Sequence, residues 1–184
     1  MDRQIAIYRE RLRETLSPSR FEHSLSVSFT SAALAMCHDF DIGKAEIAGI
    51  LHDCAKCYDD QQLAGLCRQN GISLTEEEIQ APAVIHAKYG AWMAEHEYGI
   101  ADPEILEAVL WHTTGCSNMK TLDKILSIAP YIASRIIPAA ILPSARKMAF
   151  HSLDAAMYEI FAGQLVYLNN IGNDLVFRSQ QAYE

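Results

Sequence analysis

Apolar residues recur at helical spacing along almost the whole of this 184-residue chain, and the β-branched alternation that marks a strand is nearly absent. An all-α fold is therefore expected, and helices without a sheet must bury their apolar stripes against one another in a bundle. With 50% apolar residues and no break in composition, the chain is long enough for one well-filled core and short for two. A single domain over residues 1–184 is expected, with its core over about 18–135 and a C-terminal helix of about 144–169 packed on it.

Turn and cap residues divide the chain. Ser17-Pro18-Ser19 closes a first helix from Asp2 to about Leu16 and offers a cap for a second from about Arg20 to Cys37. Asp41-Ile42-Gly43 reads as a turn before a helix from about Lys44 to Cys54, with His52 and Asp53 in its last turn. Further helices are expected over Asp59 to Gln69, Pro82 to Tyr98 and Asp102 to His112, with capping-box spacing at Ser73 to Glu76. From about Thr121 an apolar stretch follows that Pro130, Pro138 and Pro143 should break, and then one long helix from about Ser144 to Asn169. The tail from Gly172 to Glu184 reads as peripheral.

A formal charge of −8 opposes a generic grip on nucleic acid or an anionic bilayer, which need a basic face. A small anionic ligand remains compatible, because Arg20, Lys56, Lys88, Lys120 and Lys124 follow or precede histidines closely enough to line one pocket. Five cysteines, an odd number, in a chain that opens on a charged amphipathic helix point to reduced thiols in a cytoplasm. Cys54 and Cys57 have Cys-x-x-Cys spacing without a second pair or a βαβ setting, and read as buried helical cysteines. No membrane-spanning segment is expected, since the Ile125 to Pro143 stretch carries Arg135, two serines and three prolines. Exposed helices packing antiparallel would allow a homodimer, although nothing in the chain selects an interface.

His23, His52, His86 and His112, with Asp53, form the most informative set. A helix turns about 100° per residue, so the adjacent His52 and Asp53 project from neighbouring edges of one face and can reach one ion. Imidazole nitrogen with a carboxylate that can bridge favours a transition metal over calcium. His38, His96 and His151 lie apart from these motifs and read as surface or structural.

The strings RFEHSLSV around His23, LHDCAK around Asp53, IHAKYGAWMA around His86, and AVLWHTTG followed by LDKIL around His112 carry a resemblance. In that order they resemble the HD-domain metal-dependent phosphohydrolases, and among them the bacterial enzymes that split diadenosine tetraphosphate symmetrically into two ADP. The resemblance spans about residues 1–170. It implies that His23, His52 and Asp53 hold one metal and that Asp53 bridges to a second held by His86 and His112. It implies iron as the metal, no organic cofactor, a nucleotide substrate, and two-metal hydrolysis without a serine or cysteine nucleophile. Asp53 and Lys56 are then the catalytic candidates, with Arg20, Lys56, Thr113 and Thr114 as phosphate-side donors. For Arg20 the alternative is a salt bridge to Glu22 or Glu10, and for the threonines a helix-ending role.

The chain departs from the family's pattern after His112. Where that pattern resembles LDKILYIADYIEP, this chain reads LDKILSIAPYIAS, so Pro130 stands at a metal-ligand aspartate. Asp123 lies seven residues earlier, about 10 Å along a helix axis, too far to substitute directly. Ser127, one turn earlier, offers only a hydroxyl. Three readings remain: an active enzyme with altered metal use, a slow enzyme, or a nucleotide-binding or regulatory protein without turnover. A hydrolase of other nucleotides is the further alternative.

Overall fold

The computed structural model describes residues 2–133 and 142–170, and among these every regular element is helical. Helices α1 (Asp2–Thr15), α2 (Pro18–Cys37), α3 (Ile42–Leu51) and α4 (Asp60–Gln69) come first. The short α5 (Glu76–Gln80), α6 (Ile85–His96) and α7 (Pro103–Trp111) follow, then α8 (Thr121–Ala133), α9 (Leu142–Ala149) and α10 (Leu153–Asn170). Two single 3-10 turns, Cys54–Cys57 and Pro82–Val84, precede α4 and α6.

Helix α8 is the central member, packed on α2, α3, α7, α9 and α10, and its Leu122, Ile125, Leu126 and Ile128 are fully buried. Burying a side chain of that size stabilises the fold by about 1.5–3 kcal/mol, so this one helix anchors much of the core. The largest contact is α2 on α3. It is close because α2 offers Ser24, Ser28 and Ser31, all fully buried, and α3 answers with Gly49. A Cβ on Gly49 would lie 2.7 Å from the Ser28 Cα, so glycine is what lets the two backbones meet. The Ser28 hydroxyl donates to the Glu46 carbonyl across that seam, and Arg9 pairs with Glu46 at 2.7 Å to bring α1 alongside.

Several ends differ from expectation. Helix α2 starts at Pro18, and the Ser17 hydroxyl makes no cap bond. The capping box at α5 is Thr75 with Glu78 rather than Ser73 with Glu76, and Asp59 forms another with Gln62. Helix α3 stops at Leu51, so His52 and Asp53 lie past its last turn. Pro130 does not break α8, which continues to Ala133. The long C-terminal helix is two, divided at residues 150–152, where the Ser152 hydroxyl accepts from the Ala155 N–H. Cys54 is buried as expected, while Cys57 is exposed. Pro138 and the tail from Gly172 lie outside the described residues. No helix of the described residues is long and apolar enough to cross a membrane.

Candidate metal centre

Helix ends aim the imidazoles. His23 lies in the second turn of α2, His86 opens α6, and His52 and His112 sit one residue beyond α3 and α7. The Nδ1 of His52 donates to the Gly49 carbonyl at 2.8 Å, that of His86 to Ala83 at 2.7 Å, and that of His112 to Val109 at 2.7 Å. Gly49 and Val109 lie in the last turns of α3 and α7, where carbonyls are short of backbone donors, and the imidazole three residues on supplies one. Because a carbonyl can only accept, each Nδ1 carries hydrogen and each neutral Nε2 presents a lone pair.

These lone pairs converge on Asp53. Its Oδ1 lies 3.2 Å from His86 Nε2 and 3.9 Å from His112 Nε2, and the two Nε2 atoms are 3.2 Å apart. Its Oδ2 lies 3.7 Å from His52 Nε2 and 4.0 Å from His23 Nε2. Two triads result, His23–His52–Asp53 and Asp53–His86–His112, joined through the one carboxylate. Buried His52 Nε2 has no hydrogen-bond partner in the protein. Acceptors pressed together in a buried site are unfavourable unless a cation lies among them, so the donor set fits metal ions.

Electrostatics hold the groups in ligand form. Burial lowers the His52 pKa to about 4, against the opposing pull of Asp53, and lowers those of His112 and His23 as well. Burial alone would raise the Asp53 carboxyl, but the neighbouring imidazoles of His52 and His86 outweigh it and hold it well below the usual range. Unprotonated imidazole with ionised carboxylate is the state a metal requires.

The cluster lines a cavity of about 300 Å3. Of the expected phosphate-side donors, Arg20, Lys56 and Thr113 are on its wall, with Arg20 Nη1 3.4 Å from Asp53 Oδ2 rather than paired to Glu22 or Glu10. Lys56 is half-buried, and desolvation lowers its pKa against the attraction of Asp53. Thr113 keeps its buried hydroxyl without a partner in the protein, whereas Thr114 is not on the wall and donates to the Gly115 carbonyl. Lys88, Lys120 and Lys124 pair instead with Glu78, Glu107 and Asp154.

The remaining wall comes from α8, as Ser127, Pro130 and Tyr131. Asp123 is spent on the helix start, where Oδ2 accepts from the Lys120 N–H at 2.8 Å. Tyr131 also lines the cavity although no sequence motif marks it; its spacing of four from Ser127, which places both on one face of α8, is the sequence signal for it.

Fold and site together define an all-helical domain built around a His/Asp ligand cluster. A family model described as the HD domain matches residues 20–134. Bis(5'-nucleosyl)-tetraphosphatase, symmetrical, from Staphylococcus aureus is 36% identical over 85% of this chain and 80% of its own length. The protein of the same name from Bacillus subtilis is 30% identical over 85% and 83%. A solved structure from Clostridium acetobutylicum, described as a predicted HD superfamily hydrolase involved in NAD metabolism, superposes with a TM-score of 0.92 at 31% identity, covering 97% of this chain and 94% of that one. The chain belongs to the HD-domain family of hydrolases and, within it, to the family of the symmetrical bis(5'-nucleosyl)-tetraphosphatases.

Proposed function

We propose that the protein is a metal-dependent phosphohydrolase that cleaves diadenosine tetraphosphate symmetrically into two ADP. The observation that carries this reading is the convergence of four imidazoles on the Asp53 carboxylate at the floor of a cavity whose wall bears Arg20 and Lys56. Relatives named for symmetrical tetraphosphatase activity support the choice of substrate.

His23, His52 and Asp53 would hold one ion and Asp53, His86 and His112 the other, with iron as the metal and a cytoplasmic setting in which the cysteines stay reduced. Bound there, transition-metal ions supply Lewis-acid polarisation of a phosphoryl oxygen and lower the pKa of water. The protein's own part is placement and charge. Arg20 and Lys56 grip the tetraphosphate, and the buried Thr113 hydroxyl donates to a phosphate oxygen. Water adds to one inner phosphorus as the bond from that phosphorus to the central bridging oxygen breaks. An ADP carrying the bridging oxygen and the other inner phosphorus leaves, the second ADP keeps water's oxygen, and water's protons pass to solvent. The leaving diphosphate is a stable anion, so charge-assisted bonds from Lys56 and Arg20 meet its need more than a proton would.

Chelated protein should be inert toward diadenosine tetraphosphate and regain turnover with iron or manganese, while a His52→Ala, Asp53→Ala double variant stays inert with either. Turnover by the double variant equal to the parent's would overturn the assignment of the centre.

A further inference from the structure

The two triads are unequal. Asp53, His86 and His112 are all buried, and both imidazoles are pinned through Nδ1. On the other side His52 is pinned in the same way, but the His23 side chain is 28% exposed, with no such carbonyl fixing its ring. A cation already stands there, since Arg20 Nη1 is 3.4 Å from Asp53 Oδ2, the oxygen this triad would use. Across the cavity α8 presents Ser127, Pro130 and Tyr131, which bring no carboxylate or imidazole to balance a second positive charge. A guanidinium and a metal ion sharing one carboxylate oxygen in a half-dry cavity repel each other strongly. The Arg20 side chain, 49% exposed, has room to leave, and its planar fork suits a phosphate better than a single oxygen at this distance.

Building on the metal-centre reading, we propose that Arg20 and a second metal ion compete for Asp53 Oδ2, so that the ions load in order. The first binds Asp53, His86 and His112 in the free protein. The second binds His23, His52 and Asp53 once a phosphate group has drawn Arg20 away from the carboxylate. Substrate thereby completes the centre that acts on it.

Equilibrium dialysis against Mn2+ tests this, with and without inorganic phosphate, on the parent and on Arg20→Ala and Arg20→Gln. The parent should bind one ion per chain, with a second at least about tenfold weaker, and phosphate should tighten that second ion by a similar factor. In the Arg20 variants the second ion should tighten by about tenfold without phosphate and gain little more when it is added, while unchanged first-ion binding reports an intact fold. Two ions of like affinity in the phosphate-free parent, or variants whose second ion binds as in the parent, would overturn the order of loading and leave the centre standing. No ion bound by the parent under any condition would overturn the metal centre itself.

Discussion

His52, His86 and His112 each commit one ring nitrogen to a carbonyl three residues back, which turns the other toward Asp53, and that of His52 has no hydrogen-bond partner in the metal-free protein. Asp53 gathers all of them, so Asp53→Asn should lower kcat/KM by at least about a thousandfold, as loss of a reacting-centre group does. Thr114→Ala should stay within about twofold of the parent, because its hydroxyl is turned to Gly115 away from the cavity; a large loss in that variant would show the wall to be drawn wrongly. The buried His52 also predicts a pH effect on the metal-free protein. Its folded pKa of about 4 lies below the unfolded 6.5, so between these values the unfolded chain binds more protons. Its contribution, on the order of 3 kcal/mol, is present above pH 6.5 and lost as pH falls through that window. Urea midpoints at pH 7.5 and 4.5 measure it, and equal midpoints would contradict it. That His23, His52, Asp53, His86 and His112 would meet was legible because five residues of metal-binding type recur in motif strings. The Arg20 contact to Asp53 was not, because it crosses 33 positions and depends on how α2 seats on α3.

Helix α3 owes its place to Gly49. Gly49→Ala should cost about 1–3 kcal/mol by pushing α2 off α3, and should weaken metal binding as well, since His23 and His52 approach across that seam. Differential scanning calorimetry on chelated protein reads the first effect, and an unchanged melting temperature would show that the seam can give. Within α8, Pro130 offers no N–H to the Leu126 carbonyl, so Pro130→Ala should raise stability by about 1–3 kcal/mol, or roughly 2–4 °C in Tm for each kcal/mol. Tertiary packing explains why α8 runs through Pro130, where the sequence alone predicts a break. Ile125, Leu126, Ile128 and Ala129 are fully buried around the proline, and that burial carries the helix through a residue whose local preference is to end it. Helix existence followed from periodicity, but ends at His52 and His112 are set by side chains capping carbonyls, which periodicity does not encode.

Across the whole molecule, five segments meet at one cavity: α2 brings Arg20 and His23, the residues after α3 bring His52, Asp53 and Lys56, and α6, α7's end and α8 close the wall. Metal binding should therefore tie the bundle together and raise Tm with metal concentration, as any ligand selective for the native state does. The all-helical class and the order of the motifs were legible from sequence, whereas the division of the C-terminal segment at residues 150–152 was not, because no proline or glycine marks it. What the cavity does is decided by its products. The protein should be reconstituted anaerobically with iron, and separately with manganese, and its products from diadenosine tetraphosphate separated by ion-exchange chromatography. Metal-dependent ADP as the nucleotide product, without ATP and AMP in equal amounts, is the predicted result. ATP with AMP, or no turnover above that of the His52→Ala, Asp53→Ala double variant with any metal, would contradict symmetrical hydrolysis at this centre.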